Sequence, residues 1–127
     1  MSENEIAAIV VDESLAIHRK LGSGLFESVY QNILAYQLRK RGLRVELEVP
    51  VIVTWDGQSM DIGFKIDLLV EDKLIVELKS IQALAPIHSK QVLTYLRLAN
   101  KRLGLLINFG QIMLKDQIVR LANGLDD

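Results

Sequence analysis

Residues 62–79 read IGFKIDLLVEDKLIVELK, and this segment carries the clearest prediction of the fold. Two apolar runs stand on either side of a polar break at 71–73, a pattern that predicts two antiparallel strands joined by a short loop. Asp67 interrupts the first run, and Glu77 and Lys79 interrupt the second, two positions apart and therefore on one face of a strand. Charges near a core cost several kcal/mol of desolvation unless they are paired or bound to a metal, so their position needs a physical reason.

The length of the polar break determines which side chains face each other. With a three-residue loop, Val70 pairs with Leu74. Counting back three residues then places Asp67 opposite Glu77, with their Cβ atoms about 5 Å apart. Two carboxylates at one position repel each other, and a divalent cation with oxygen ligands, Mg²⁺ or Mn²⁺, is the usual remedy. Lys79, one pleat farther along, would orient a water molecule or offset developing negative charge.

Two alternatives stay open from the residues alone. A two-residue loop would pair Asp67 with Val76 and send Glu77 to the opposite face of the sheet. An ordinary ladder of solvent-facing ion pairs would also bring Asp67, Glu77 and Lys79 to one side of the sheet, without any metal.

The rest of the chain predicts an α/β fold. Apolar spacings of three and four residues predict helices, and alternating or continuous apolar runs predict strands. The predicted helices are Ile6–Leu21, Leu25–Arg41 and Pro86 to about Asn100, and the predicted strands are Arg44–Thr54, Ser59–Val70, Leu74–Lys79 and Leu103–Phe109. Because one helix separates the last strand from the others, part of the sheet is expected to be parallel. The tail, Ile112–Ala122, fits either a strand or a helix.

The first strand, Arg44–Thr54, is expected at an edge of the sheet or at a bulge, because Pro50 has no N–H to donate. The Asp56-Gly57 pair favours a tight turn into the next strand, which completes a three-stranded meander. Five apolar residues of this strand alternate with other residues and are predicted to share one face: Val45, Leu47, Val49, Val51 and Val53.

Composition limits the functions that the chain can have. Its 127 residues, half of them hydrophobic, suffice for one core, so a single domain over residues 1–127 is expected. Fifteen Lys and Arg against sixteen Asp and Glu leave a net charge of −1, so any contact with nucleic acid must be local. The absence of Cys excludes disulfides, thiolate zinc sites and cysteine nucleophiles. With no secretion signal and no apolar run of membrane length, a soluble cytoplasmic protein is expected.

Several ordered blocks carry a resemblance to a known family. They are GLFESVY at 24–30, DLLV at 67–70, ELK at 77–79, PIH at 86–88 with Gln91, YL at 95–96 and GLLINF at 104–109. From about residue 6 to residue 122, the sequence resembles the GxxExxY protein family of the PD-(D/E)XK nuclease-like superfamily. The resemblance implies a restriction-endonuclease-like core, with an N-terminal helical hairpin, a mixed sheet that begins as a three-stranded antiparallel meander, a crossover helix and a further strand.

The resemblance also implies a metal site. Asp67 and Glu77 would hold the ion, with the backbone carbonyl of Leu78 as a further ligand. Lys79 would position or activate the attacking water. The chain departs from the superfamily's name at one position, because Ile66 stands where proline precedes the aspartate.

Four further residues are candidates around this site. Glu27 resembles the superfamily's helical carboxylate and would join the metal shell directly or through water, although a carboxylate in a first helical turn also stabilises free N–H groups. Gln91 resembles a glutamine of some branches and would bond a substrate phosphate or the water at the lysine, or else serve as a satisfied core or interface amide. Tyr30 and Tyr95 are predicted to pack helices against the sheet, with hydroxyls near the cleft.

Two functions from different classes fit these residues. One is a nuclease that hydrolyses phosphodiester bonds of DNA or RNA with Mg²⁺ or Mn²⁺. The other is a catalytically inactive module with the nuclease fold, which acts through a protein partner or as a homo-oligomer. The small size and the balanced charge motivate the second interpretation.

Overall fold

The computed structural model describes residues 1–125, and its elements follow the predicted order. The helices are α1 (Glu3–Leu21), α2 (Glu27–Lys40) and α3 (Pro86–Ala99). The strands are β1 (Val45–Trp55), β2 (Gln58–Val70), β3 (Leu74–Lys79), β4 (Leu103–Asn108) and β5 (Ile118–Ala122). The tail that fitted either a strand or a helix thus forms a strand, preceded by a short 3₁₀ turn at Lys115–Gln117. Among these residues, no helix has the length and apolar character to cross a membrane.

The strands form one mixed sheet in the order β1-β2-β3-β4-β5. The first three strands are an antiparallel meander, and β4 runs parallel to β3 after the α3 crossover. β5 then pairs antiparallel with β4 at the far edge. The predicted α/β fold, a helical hairpin followed by a mixed sheet, is confirmed, and β1 with Pro50 lies at an edge as expected.

Local interactions fix the ends of these elements. Ser2 begins α1 with a capping box, because its hydroxyl accepts a hydrogen bond from the N–H of Glu5, whose carboxylate accepts one from the N–H of Ser2. Asp56 and Gly57 both adopt positive φ, 51° and 75°, which is the geometry of a two-residue hairpin turn that matches the strand twist. The turn signals of the sequence therefore act as predicted.

Helices cover both faces of the sheet. α1 and α2 pack on one face over the larger hydrophobic cluster, whose members include Ile6, Val10, Leu34, Leu38, Leu68, Val76 and Leu105. α3 packs on the other face over the smaller cluster, which consists of Val51, Ile66, Leu69, Ile75 and Leu96 with partly buried neighbours. The sheet is thus the middle layer of three, and a side chain near its centre lies under one helical layer or the other.

β1 departs from the predicted alternation at Glu48. Val45 and Leu47 contribute to the larger cluster, whereas Val49 and Val51 pack in the smaller cluster on the opposite face. The prediction that the alternate residues of this strand share one face is therefore wrong. Glu48 adopts a φ of 50°, a left-handed conformation that breaks the side-to-side alternation of an extended strand.

β2 changes face at the same level as β1. Leu68 packs in the larger cluster and Ile66 in the smaller one, although the two residues are two positions apart. The pairing of β1 with β2 keeps one register on both sides of this point, which puts Glu48 opposite Asp67. Asp67 therefore lies where both strands bend and exchange the faces that they bury.

Candidate functional site

Asp67 and Glu77 form a carboxylate pair on neighbouring strands. β2 and β3 adopt the predicted register, which pairs Leu68 with Val76 and brings Asp67 opposite Glu77 one step farther along. The backbone N–H of Asp67 donates to Glu77 Oε1 at 2.8 Å, and the N–H of Leu78 donates to Asp67 Oδ2 at 2.8 Å. The two carboxylates thus accept hydrogen bonds from the backbone of the opposite strand and lie side by side.

The pair lies on the α3 side of the sheet. Asp67 shares its face with Leu69 and Glu77 shares its face with Ile75, and both of these apolar residues belong to the smaller cluster. Glu77 is only 6% exposed, whereas Asp67 is half-buried. Such burial of two like charges is unfavourable unless a proton or a cation compensates them.

Burial and mutual repulsion change the acidity of the pair. Burial, followed by the negative charge of Asp67, raises the pKa of Glu77 to about 8. Burial also raises the pKa of Asp67, although the hydrogen bond from the N–H of Leu78 and the positive charge of Lys79 partly oppose this. At neutral pH the metal-free pair therefore holds a proton that a bound cation would displace.

Lys79 lies beside the pair on the same strand face as Glu77. Its side chain is half-buried, and its positive charge lowers the pKa of both carboxyls. The ammonium group forms no hydrogen bond or ion pair with the rest of residues 1–125. A positive charge near the carboxylates thus keeps its hydrogen-bonding capacity for another molecule.

The carbonyl of Leu78 faces the pair. In an extended strand, the N–H and the C=O of one residue point to the same side, and the N–H of Leu78 points to Asp67. The next carbonyl, that of Lys79, points the other way and accepts from the N–H of Phe109 at 2.7 Å. Two carboxylates and a carbonyl that points to the same side of β3 form an all-oxygen donor set, which fits Mg²⁺ or Mn²⁺.

Glu27 does not join the carboxylate pair in this structure. Within residues 1–125, no cluster of three Asp, Glu, His or Cys side chains has an arrangement that could hold a metal. Glu27 is exposed and is the first residue of α2, after Phe26 at the N-cap, so the helix begins two residues later than the predicted start at Leu25. The hydroxyl of Ser80, one residue after Lys79, donates to the carbonyl of Leu25 at 2.5 Å, so the start of α2 lies near the end of β3. A water-mediated role for Glu27 stays a prediction.

Tyr30 supports the loop between α1 and α2. Its buried ring stacks on Phe109, with the ring centroids 4.3 Å apart. Its hydroxyl donates to the carbonyl of Gly22 at 2.7 Å and accepts from the N–H of Leu25 at 3.2 Å. Tyr30 thus packs a helix against the sheet as predicted, whereas its hydroxyl, predicted near the cleft, bonds to the loop of the helical hairpin.

Tyr95 and Gln91 lie on the face of α3 that looks toward the site. Tyr95 contacts the ring of Phe64, with centroids 5.1 Å apart, and packs against the smaller cluster. Burial, and then the charges of Glu77 and Asp67, raise the pKa of its hydroxyl, so this hydroxyl lies within the field of the pair. Gln91 is exposed and lines the same cavity as Tyr95.

Glu48 is a residue of the site that the sequence analysis missed. Its negative charge contributes to the raised pKa of Asp67, its neighbour across the β1–β2 hairpin. The sequence Val-Glu-Leu-Glu-Val looks like regular alternation with Glu48 in solvent, and it carries no signal of the left-handed conformation.

Asn108 is a second residue that the sequence analysis missed. It ends β4 opposite Lys79 and is fully buried. Its Oδ1 accepts from the N–H groups of Ile81 and Gly110, both at 3.0 Å, and its Nδ2 donates to the carbonyl of Ile81 at 3.0 Å and to Oε1 of Gln117 at 3.1 Å. Asn108 therefore fixes the chain that follows Lys79. A polar residue at the end of the apolar run 103–109 was the available signal.

Replacing Asn108 with Ala is expected to lower the free energy of unfolding by about 2 kcal/mol, because buried N–H and C=O groups would lose their partners. Urea unfolding followed by circular dichroism measures this change. Asn32→Ala, an exposed asparagine on α2, is the matched control and should change stability by no more than about 0.5 kcal/mol. Equal stabilities of the two variants would contradict the structural role of Asn108.

Comparisons with known proteins bear on the fold and on the family. A family model described as the PD-(D/E)XK nuclease superfamily matches residues 4–121. Among solved structures, the crystal structure of SSO0001 matches with a TM-score of 0.53 and 22% sequence identity. This match covers 98% of the chain and 60% of SSO0001, so the chain spans about three fifths of that protein's length. At this identity the likeness shows the fold alone, and no curated protein gives a significant match.

Proposed function

The chain belongs to the PD-(D/E)XK nuclease superfamily, and from this premise we propose that it is a metal-dependent nuclease that hydrolyses phosphodiester bonds of DNA or RNA. The observation that carries the proposal is the carboxylate pair, a buried Glu77 beside a half-buried Asp67, with Lys79 on the same face. Two adjacent carboxylates followed by a lysine are an arrangement suited to holding a cation beside a water molecule.

Asp67, Glu77 and the carbonyl of Leu78 are the groups proposed to hold the ion, Mg²⁺ or Mn²⁺. When bound there, the cation would polarise the phosphate and lower the pKa of the attacking water. The donor set supports this choice, because it contains only oxygen atoms and carries two negative charges once the shared proton has left.

Lys79 is proposed to position the attacking water and to offset the negative charge that develops on the phosphate. Its ammonium group is suited to this role, since it forms no hydrogen bond or ion pair with the described part of the chain. Gln91, exposed on α3, would donate an amide hydrogen bond to a substrate phosphate or to the same water. In both roles a side-chain group, the ammonium of Lys79 or the amide of Gln91, would contact the substrate phosphate or the attacking water.

Within the superfamily, we assign the chain to the GxxExxY family, as a single nuclease-like domain of the cytoplasm. The block GLFESVY at 24–30 supports this assignment. Its glutamate begins α2 near the end of β3, and its tyrosine bonds to the preceding loop, so the block shapes the approach to the carboxylates. A role for Glu27 in the metal shell, through water, belongs to the same proposal.

Asp67→Asn is expected to abolish or weaken Mn²⁺ binding at least tenfold, because it removes a charged ligand from a site with two carboxylates. Calorimetric titration of Mn²⁺ into the purified proteins measures this effect, with one saturable event expected in the natural protein. Asp72→Asn is the matched control, since Asp72 lies in the loop of the same hairpin, is exposed and pairs with Lys101. Its Mn²⁺ affinity should equal that of the natural protein.

The titration is followed by cleavage assays on single- and double-stranded DNA and RNA. A natural protein that neither binds Mn²⁺ nor cleaves any of these substrates would contradict the proposal. That result, together with stable oligomers in light scattering, would favour the inactive module that works through self-association.

A further inference from the structure

A small cavity opens between α3 and the part of the β1–β2 hairpin that extends beyond β3, on the side of the sheet that α3 covers. Its volume is about 290 Å³, near the lower limit of about 300 Å³ for pockets that hold organic ligands. This size suits one ring system. The residues that line it are Phe64 of β2 and Ile87, Lys90, Gln91, Thr94 and Tyr95 of α3.

The walls of the cavity have the chemistry of a nucleobase site. Phe64 is 38% exposed, and the contact with Tyr95 holds its ring in place, so part of an aromatic surface remains open for stacking. The amide of Gln91 has no partner among residues 1–125. The hydroxyl of Thr94 donates to the carbonyl of Lys90 at 3.0 Å, which leaves its lone pairs as acceptors. An aromatic surface with amide and hydroxyl groups at its side is what unpaired bases bind.

A positive charge at the cavity matches the backbone of a nucleic acid. Lys90 is exposed and forms no ion pair with residues 1–125, whereas Lys101, farther along the chain, is paired with Asp72. A lysine without an acidic partner, in a protein of nearly neutral charge, is suited to a phosphate next to the bound base.

The cavity and the carboxylate pair are neighbours. Phe64 precedes Asp67 by three residues, which is about 10 Å along an extended strand. Tyr95 lines the cavity and contacts the ring of Phe64, and its side chain packs in the cluster that contains Ile66 and Leu69, the residues one before and two after Asp67. A nucleotide with its flanking phosphates can therefore extend from the cavity to the pair.

We propose that this cavity, named the base pocket here, binds one unpaired nucleobase adjacent to the phosphate that is cleaved. The substrate is therefore a single strand or an unpaired segment, because a base stacked within a duplex must first leave the stack, at a cost of a few kcal/mol. This inference rests on the proposed nuclease function, since it names the substrate class of the same site.

Fluorescence anisotropy with a labelled 15-nucleotide single strand and the blunt duplex of the same sequence tests the base pocket, in EDTA so that no cleavage occurs. The natural protein should bind the single strand at least tenfold more tightly than the duplex. Phe64→Ala should weaken strand binding about tenfold or more, in line with the loss of one base–aromatic stack, and should leave duplex binding unchanged. Gln91→Ala, at an exposed position, should weaken strand binding several-fold. Tyr36→Ala, an exposed aromatic residue on α2, is the matched control and should bind as the natural protein does.

Two results would overturn the base pocket: equal affinity of the natural protein for strand and duplex, or unchanged strand affinity in both Phe64→Ala and Gln91→Ala. Cleavage in Mn²⁺ is measured separately on the same proteins. If the natural protein cleaves and the variants bind the strand with unchanged affinity, the base-pocket proposal is wrong and the nuclease proposal stands. If strand binding depends on Phe64 but no substrate is cleaved, the base-pocket proposal stands and the nuclease proposal is wrong.

Discussion

Replacing Lys79 with Met is expected to lower the rate of phosphodiester hydrolysis about 10²- to 10³-fold, the usual cost of removing one preorganised electrostatic group from an active site. Lys79 and Glu77 share a strand face, and the lysine charge acts on both carboxyls of the pair. Met keeps the length and the apolar stem of the side chain, so packing beside the half-buried site is preserved. The variant therefore loses only the positive charge of Lys79 and the hydrogen bonds that its ammonium group would donate to water or phosphate.

Single-turnover cleavage of a single-stranded oligonucleotide in Mn²⁺ measures the effect of Lys79→Met on the chemical step. Calorimetry at alkaline pH, where the deprotonation of Glu77 (pKa about 8 in the natural protein) is favoured, should show that Mn²⁺ still binds to the variant. Lys73→Met, an exposed lysine in the loop of the same hairpin, should cleave at the natural rate. A Lys79→Met protein that loses only substrate affinity, with an unchanged single-turnover rate at saturation, would show that the lysine binds substrate and takes no part in the chemistry.

The register at the site follows from counting once the length of the loop is known, and the three-residue loop of the structure is one of the two lengths that the sequence left open. The loop at 71–73 determines which residue of β2 faces which residue of β3. In this antiparallel pair, each step of one residue back along β2 corresponds to one step forward along β3. With this loop, strand pairing alone makes Asp67 and Glu77 neighbours, and no information on tertiary packing is needed. Strand alternation likewise predicted that Lys79 shares the face of Glu77.

The position of Glu27 was harder to predict, because it depends on how a helix packs. The sequence placed this carboxylate in the first turn of α2, where it is found. Which face of the sheet α2 covers, and how far its first turn lies from the carboxylate pair, depend on the packing of α1, α2 and the larger cluster. Spacing within one segment contains no information on these distances.

Glu48 and Asn108 show two further limits of the sequence. The left-handed conformation of Glu48 moves Val49 and Val51 to the opposite face, and nothing in an alternating run of Val, Leu and Glu marks that residue as special. Asn108 completes four hydrogen bonds to groups that are distant in sequence or in the following turn, so its role depends on the folded chain. The signal available for Asn108 was a polar side chain in a buried strand, which has to find partners.

Glu77→Gln is expected to raise the stability of the metal-free protein above pH 8 by on the order of 5 kcal/mol. The folded-state pKa of Glu77 is about 8, against an ordinary value of 4.5 in the unfolded chain. A group whose pKa is raised by folding contributes its full stabilisation at pH values below its pKa in the unfolded chain. For Glu77 this contribution is lost as the pH rises to about 8. Gln resembles the protonated carboxyl, since its oxygen can accept from the N–H of Asp67 and its NH₂ group can donate to the Asp67 carboxylate.

Urea unfolding in EDTA between pH 4.5 and pH 9 measures the stability of both proteins. The natural protein should lose stability relative to Glu77→Gln across this range, and the two should be nearly equal at its acidic end. Glu71→Gln is a control whose pH dependence has the opposite sign. Hydrogen bonds from Arg44 lower the pKa of Glu71, so the stabilisation by Glu71 is present above the ordinary pKa of a glutamate and is lost as the pH falls.

Mn²⁺ should reverse the alkaline loss of stability in the natural protein and have little effect on Glu77→Gln. Binding requires both carboxyls of the pair to be ionised, so at pH 7 each bound ion should release about one proton, and the affinity should rise as the pH approaches 8. Calorimetry in two buffers of different ionisation enthalpy counts this proton. An affinity that does not change between pH 6 and pH 9, with no proton released, would mean that the ion binds elsewhere and that the shared proton of Asp67 and Glu77 has no part in its site.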